Sequence, residues 1–232
     1  MTLPRRLAAE AIGTALLLAI VVGSGIIGER LSQGNDAIAL LGNAIATGAG
    51  LAVLIFLFAP ISGAHFNPVV TLIEAIEGRL IWREALAYVP VQIIAALAGV
   101  AAAHLMFGEA LFTPSGHARI GPSQWWSEFI ATFGLILVIK LSVRNHAAAV
   151  PLTVAAYITA AYWFTASTSF ANPAVTIARS LTPTFAGIRP DGIPGFVVAQ
   201  LMGAFAAAKF TKWLIGSQPR IRVDRRYPSK LG

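Results

Sequence analysis

Two asparagine–proline pairs, Asn67-Pro68 and Asn172-Pro173, are the residues of this chain best placed to handle a solute. Each opens a short apolar stretch. Proline lacks an N–H and has a fixed φ that suits the first turn of a helix, and asparagine is a good N-cap, so both pairs predict helix starts. A capping asparagine has its carbonyl oxygen held by backbone N–H groups, which leaves its NH2 donors to point at a passing oxygen. The helix start adds about half an elementary positive charge at the same spot. Such a site favours a neutral, oxygen-bearing solute and opposes protons and cations, and the chemistry it implies is passage, with no bond made or broken.

Other chemistry is poorly supplied. The chain has no cysteine, which removes disulfides, thiol nucleophiles, thiolate metal sites and iron–sulfur clusters together. Glu10, Glu128 and His65 are unaccompanied by a metal-binding helix motif, a nucleophile motif or a Gly-rich phosphate loop. No enzyme, metal or cofactor is expected.

The elements that carry these residues are membrane spans. Of 232 residues, 56% are hydrophobic and 12% charged, and the mean hydropathy is +0.72. Soluble domains carry roughly a quarter charged residues, so a soluble enzyme or a disordered chain is excluded. Full crossings are predicted at Leu7–Ile27, Ile38–Ala59, Leu86–Met106, Ser127–Val143, Val150–Ser167 and Gly195–Ile215. Asn67–Ile76 and Asn172–Leu181 are apolar but reach only roughly 15 Å, half of a hydrocarbon core, and read as half-helices. The Arg5-Arg6 start imitates a signal peptide, but Glu10 interrupts the apolar run and no small-residue cleavage site follows.

With the N-terminus inside, the inner side receives 13 of the 17 Lys and Arg residues, and Arg30, Arg119, Arg179 and Arg189 fall outside. Positive charge therefore predicts a multi-pass protein of the cell (inner or plasma) membrane with both termini cytoplasmic. The net charge of +7 is a matter of topology, and the basic tail at 218–232 reads as an orientation signal against anionic lipid, not a nucleic-acid site.

The two halves echo each other. Glu10, Ile12 and Thr14 match Glu128, Ile130 and Thr132; Asn67-Pro68 matches Asn172-Pro173; Val91-Gln92 matches Ala199-Gln200. A duplication is expected, with repeat 1 at about 1–115 and repeat 2 at about 116–217, in a single membrane domain. Three crossings per half make the second copy inverted, so the half-helices meet near the midplane from opposite faces. Irregular backbone is tolerated there only where it lines a cavity.

The run Ser62-Gly63-Ala64-His65-Phe66-Asn67-Pro68, the second Asn172-Pro173-Ala174 and the Glu and Gln anchors resemble the aquaporin (major intrinsic protein) family over essentially the whole chain. The resemblance implies an all-α fold of six spans and two half-helices, a pore in each protomer and assembly into homotetramers. It implies passage of water, then glycerol-like polyols, then metalloid hydroxides such as arsenous acid. The first box departs with Val69 for Ala, which adds two methyl groups beside the constriction or alters only the local packing.

The resemblance also assigns a selectivity filter. The arginine that usually follows the second box is Val175 here, the commonly aromatic position on the second span is Thr47, Tyr162 falls at the third position and Ser169 contributes from the loop. These changes predict a wide, arginine-free opening, like that of bacterial relatives associated with arsenic resistance. A rival alignment puts Arg179 one turn, about 6 Å, further toward the outer mouth on the face of Val175; the alternative is an arginine reaching the outer headgroups. Glu10 and Glu128 read either as a proton relay or, as the resemblance favours, as acceptors for the unwound loops before the half-helices, helped by Gln92 and Gln200. His65 reads as a gate or pH sensor, or as a loop histidine bonded to carbonyls. Glu74 has no assigned role, and His104, Trp125, Trp126 and Trp163 read as span or interface anchors. A coupled secondary transporter is the alternative function, since inverted repeats with broken helices serve there too.

Overall fold

The computed structural model describes residues 1–216, so the predicted basic tail at 218–232 lies outside the described residues. Among the described residues there are eight α-helices and no strand: α1 (Leu3–Leu31), α2 (Asp36–Ser62), α3 (Pro68–Ile76), α4 (Trp82–Phe107), α5 (Pro122–Asn145), α6 (Val150–Phe164), α7 (Pro173–Arg179) and α8 (Ile193–Ile215). The first four and the last four follow one order of long, long, short, long. Six helices are long and apolar enough to cross a membrane, with a single 3-10 turn extending α6 and another α8 at their starts. At about 1.5 Å per residue, the nine residues of α3 and seven of α7 fall short of half a bilayer core.

Local chemistry sets the ends. Asn35 caps α2 by accepting from the N–H groups of Ala37 and Ile38 at 3.1 and 3.2 Å. At the other end Gly63 stands at φ 94°, in the left-handed region where a Cβ would be strained. The predicted fifth span ran to Ser167, whereas α6 stops at Phe164 because Thr165 turns extended, at φ −112° and ψ 137°. From there the chain must reach Glu128. α7 likewise ends at Arg179, two residues before the predicted Leu181.

α1 packs most extensively against α4 and α2, and α5 against α8. A Cβ added to Gly99 would lie 2.2 Å from the Ala15 carbonyl oxygen, and one on Gly203 2.3 Å from that of Phe129. Small residues here let backbones touch, the usual means of joining helices where lipid removes the hydrophobic drive between them. Leu18 and Val22 of α1 interlock with Val100 and Ala103 of α4 in the core. Val69, Val70 and Ile73 of α3 pack with Ile136, Ala204 and Ala207 of α5 and α8. Large apolar side chains such as Phe56, Leu86, Leu105 and Trp213 point outward, as a lipid-facing surface requires.

Candidate functional site

α3 and α7 meet at their N-termini, and the two capping asparagines join them. Asn67 Nδ2 donates to the Ala171 carbonyl and Asn172 Nδ2 to the Phe66 carbonyl, each at 2.8 Å. Asn67 Oδ1 accepts from the N–H of Val69 at 3.0 Å, and Asn172 Oδ1 from those of Ala174 and Val175 at 3.0 and 3.3 Å. Each amide has two N–H donors and spends one on the opposite loop, so one per asparagine is left for a solute rather than the whole NH2 group. Both asparagines line a cavity of about 570 Å³. Pro68, Val69, Pro173 and Ala174 are buried in the helix starts. Val69 packs against α5 and α8, so its extra methyl groups lie in the core and not beside the constriction.

The unwound loops before the half-helices are held by the two buried carboxylates. Glu10 Oε1 accepts from Ser62 Oγ at 2.6 Å and His65 N at 3.0 Å; Oε2 accepts from Phe66 N at 2.7 Å and Gln92 Nε2 at 2.8 Å. Glu128 Oε1 accepts from Phe170 N at 2.8 Å, and Oε2 from Ala171 N at 2.8 Å and Gln200 Nε2 at 2.6 Å. Gln92 and Gln200 each donate also to a threonine, Thr71 and Thr176, at 2.9 Å. These bonds satisfy loops whose non-glycine residues Ala64, Phe66, Thr168, Ser169 and Ala171 all sit at φ between 48 and 58°, each a conformation that costs on the order of 1 kcal/mol or more. His65, on the cavity wall, has its Nδ1 3.0 Å from the Thr71 hydroxyl and not at a carbonyl, and its ring stands 5.5 Å from that of Tyr88.

The cavity wall also carries Thr47, Tyr162, Ser169 and Val175, with Arg179 at the end toward which α7 runs. Thr47 Oγ1 and Tyr162 Oη are 3.3 Å apart. Arg179 is only 2% exposed, so it does not reach the headgroups. Its Nε donates to the Ala186 carbonyl, and its guanidinium carbon lies 3.5 Å from the centre of the Phe170 ring. Neither Nη atom has a hydrogen-bond partner among the described residues, though the side chain lines the cavity. Val175 and Arg179, one helical turn apart on α7, thus both line the cavity.

The other end is charged. Glu74, Arg79, Lys140 and Arg144 line it. Arg79 bonds Glu74 through Nε at 2.6 Å and Nη2 at 2.5 Å and Glu77 through Nη1 at 2.5 Å, and Lys140 pairs with Glu77. Hydrogen bonding to Glu74, with the Glu77 charge and against partial burial, raises the proton affinity of Arg79 above its ordinary range. Glu74, which had no role from sequence, thus ties the end of α3 to the following turn. His104 is buried in α4 and bonds Thr182 at 2.8 Å, while Trp125, Trp126 and Trp163 are exposed.

Sequence reading assigned no role to Ser62 and Ser167, whose hydroxyls accept from Ala64 N and Ser169 N at 3.1 and 3.2 Å, to Thr71 and Thr176, or to the stacking partner Phe170. The first four had a signal: each serine stands five residues before its box asparagine and each threonine four after it. Phe170 had none beyond lying two residues before Asn172.

Residues 1–146 match the description of the family called Major intrinsic protein. The aquaglyceroporin AqpS of Rhizobium meliloti (strain 1021) is 55% identical over 221 residues, 95% of this chain and 94% of that protein. Aquaporin NIP1-1 of Zea mays is 32% identical over 208 residues, 88% and 72% of the two chains. Among solved structures, the aquaglyceroporin from Plasmodium falciparum shares the fold with a TM-score of 0.76 at 19% identity, covering 92% of this chain and 97% of that one.

Proposed function

The chain belongs to the major intrinsic protein family, a passive membrane channel for water and small neutral solutes and not an enzyme, and on that premise we propose how its pore chooses among them. The solute path runs along the cavity past Asn67 and Asn172, whose remaining N–H donors bind the solute's oxygen atoms in turn. Two half-helix N-termini at this point oppose cations and protons. The outer constriction is formed by Thr47, Tyr162 and Val175 with Arg179 on one side and Ser169 at the rim.

Small side chains at 47 and 175 leave room for solutes wider than water, and the reading is a polyol channel that also passes metalloid hydroxides such as arsenous acid. The name of the relative from Rhizobium meliloti supports the polyol part. The observation that carries the reading is that Thr47, Tyr162, Val175 and Arg179 all line the cavity, with the Thr47 and Tyr162 hydroxyls 3.3 Å apart. Both termini are cytoplasmic in the cell membrane, and the assembly is a homotetramer. The outward apolar faces support assembly or lipid contact alike, so native mass spectrometry is the check on tetramers.

Stopped-flow light scattering on proteoliposomes tests the constriction. Native protein passes water, glycerol and arsenous acid; Thr47→Phe fills the opening and lowers glycerol and arsenous acid permeability about tenfold while water falls about twofold, since one misplaced group at a constriction is worth roughly 1 kcal/mol or more. Equal loss of all three solutes would place Thr47 away from the constriction.

A further inference from the structure

Arg119, in the connection between α4 and α5, does not line the cavity, yet it lies against one group that Arg179 rests on and is bonded beside the other. Its Nε donates to the Gly187 carbonyl at 2.9 Å, and its Nη1 to the Ser167 carbonyl at 3.1 Å and Thr168 Oγ1 at 3.4 Å. These two carbonyls stand on either side of α7 in sequence, so one planar fork ties the segment entering the half-helix to the segment leaving it. The guanidinium carbon of Arg119 lies 5.3 Å from the centre of the Phe170 ring. Arg179 lies against the same ring at 3.5 Å, and Phe196 meets that ring nearly edge-on at 5.2 Å.

The seats of Arg179 are therefore two, the Phe170 ring and the Ala186 carbonyl. Arg119 touches the first directly and grips the second through the next residue, Gly187. Neither arginine has a carboxylate within ion-pair distance among the described residues. Two like charges sharing one ring gain no stability from each other, so the contact is held by carbonyl bonds and by attraction to the ring. Thr168, Ser169 and Ala171, with φ of 58, 50 and 48°, are strained positions that persist only where neighbours over-determine them.

We propose that Arg119 is a positioning residue for the outer constriction, setting solute selectivity by fixing the Phe170 ring and the Ala186–Gly187 segment on which the Arg179 guanidinium is seated. The proposal rests on the reading that Arg179 narrows the pore. Without Arg119 the ring and the segment relax, the guanidinium leaves the cavity wall and the opening widens toward larger solutes.

The test is a double-mutant cycle on reconstituted protein, reading the ratio of glycerol to water permeability in the same vesicles. Arg179→Ala raises the ratio, Arg119→Ala raises it at least about twofold, and Arg119→Ala added to Arg179→Ala changes it little, because residues that act through one contact do not add. Arg119→Lys keeps a cation over Phe170 but not the fork, and gives an intermediate ratio. If Arg179→Ala leaves the ratio at its native value, the reading of Arg179 fails and takes the proposal with it. If Arg179→Ala raises the ratio but Arg119→Ala does nothing, or acts equally in both backgrounds, the positioning role alone is overturned. Loss of water and glycerol flux together in every Arg119 variant, the lysine included, makes Arg119 a folding residue only and also overturns it.

Discussion

Replacing Glu10 or Glu128 by glutamine should cost about the same, and the cost can be worked from acceptor arithmetic. Glu10 Oε1 accepts from the Ser62 hydroxyl and His65 N, and Oε2 from Phe66 N and the Gln92 amide. The Ser62 hydroxyl can turn to accept, and the Gln92 amide can flip to present its oxygen, which is buried without a partner among the described residues. Whichever way the new amide of Glu10→Gln is turned, its NH2 therefore faces one backbone N–H that can only donate. Glu128 has Phe170 N alone on Oε1, with Ala171 N and the Gln200 amide on Oε2, so the NH2 of Glu128→Gln also faces one. A hydrogen bond to a charged group is worth about 1.5–3 kcal/mol, so each change should cost roughly that much. The assay is unfolding of the purified protein in mixed micelles, followed by tryptophan fluorescence against denaturing detergent. Water permeability of reconstituted protein checks that each variant still folds. No measurable cost at either site, or a cost several times larger at one than at the other, would refute the hydrogen-bond accounting for both carboxylates.

Three further outcomes follow from the packing and the pore. Gly99→Val and Gly203→Val force a side chain into the backbone oxygens of Ala15 and Phe129, and should lower stability by about 3 kcal/mol or more each, read by the same unfolding assay. Gly42, with nothing within 4 Å of a built Cβ, is the control, and Gly42→Ala should leave stability unchanged or slightly raised. Lys140→Met removes one partner of the part-buried Glu77 carboxylate, whose other partner is Arg79; the remaining ion pair keeps the loss near 1 kcal/mol, and a loss several times larger would mean that Arg79 does not hold Glu77.

The sequence carried the spans and half-helices because lipid imposes length and apolarity on each crossing, and Asn-Pro pairs mark helix starts by local chemistry alone. It also carried Glu10, Glu128, Gln92 and Gln200, since polar groups repeated at matching positions within apolar runs stand out. It was weakest where a side chain's destination depends on loop geometry. Whether Arg179 reaches the headgroups or turns to the cavity depends on the return of residues 180–189, which brings Ala186 against α7. Val69 was left open for a related reason: a helix start exposes only one face to the cavity, and the box triplet gives no sign which residue occupies it. Arg119 could not be read at all, because its partners lie 48, 49 and 68 residues away in chain with no regular period.

The placement of the pore is tested most directly through Val175, because the native chain has no cysteine for a mercurial to find. Val175→Cys gives a chain with one thiol, on the cavity wall between Asn172 and Arg179. Water and glycerol flux into proteoliposomes is then measured before and after a mercurial, with native protein as control. The account predicts that both fluxes collapse in the variant, return on adding excess thiol, and are untouched in the native protein. Full flux through a variant whose thiol is shown to be labelled would contradict it, since the solute path would then lie elsewhere.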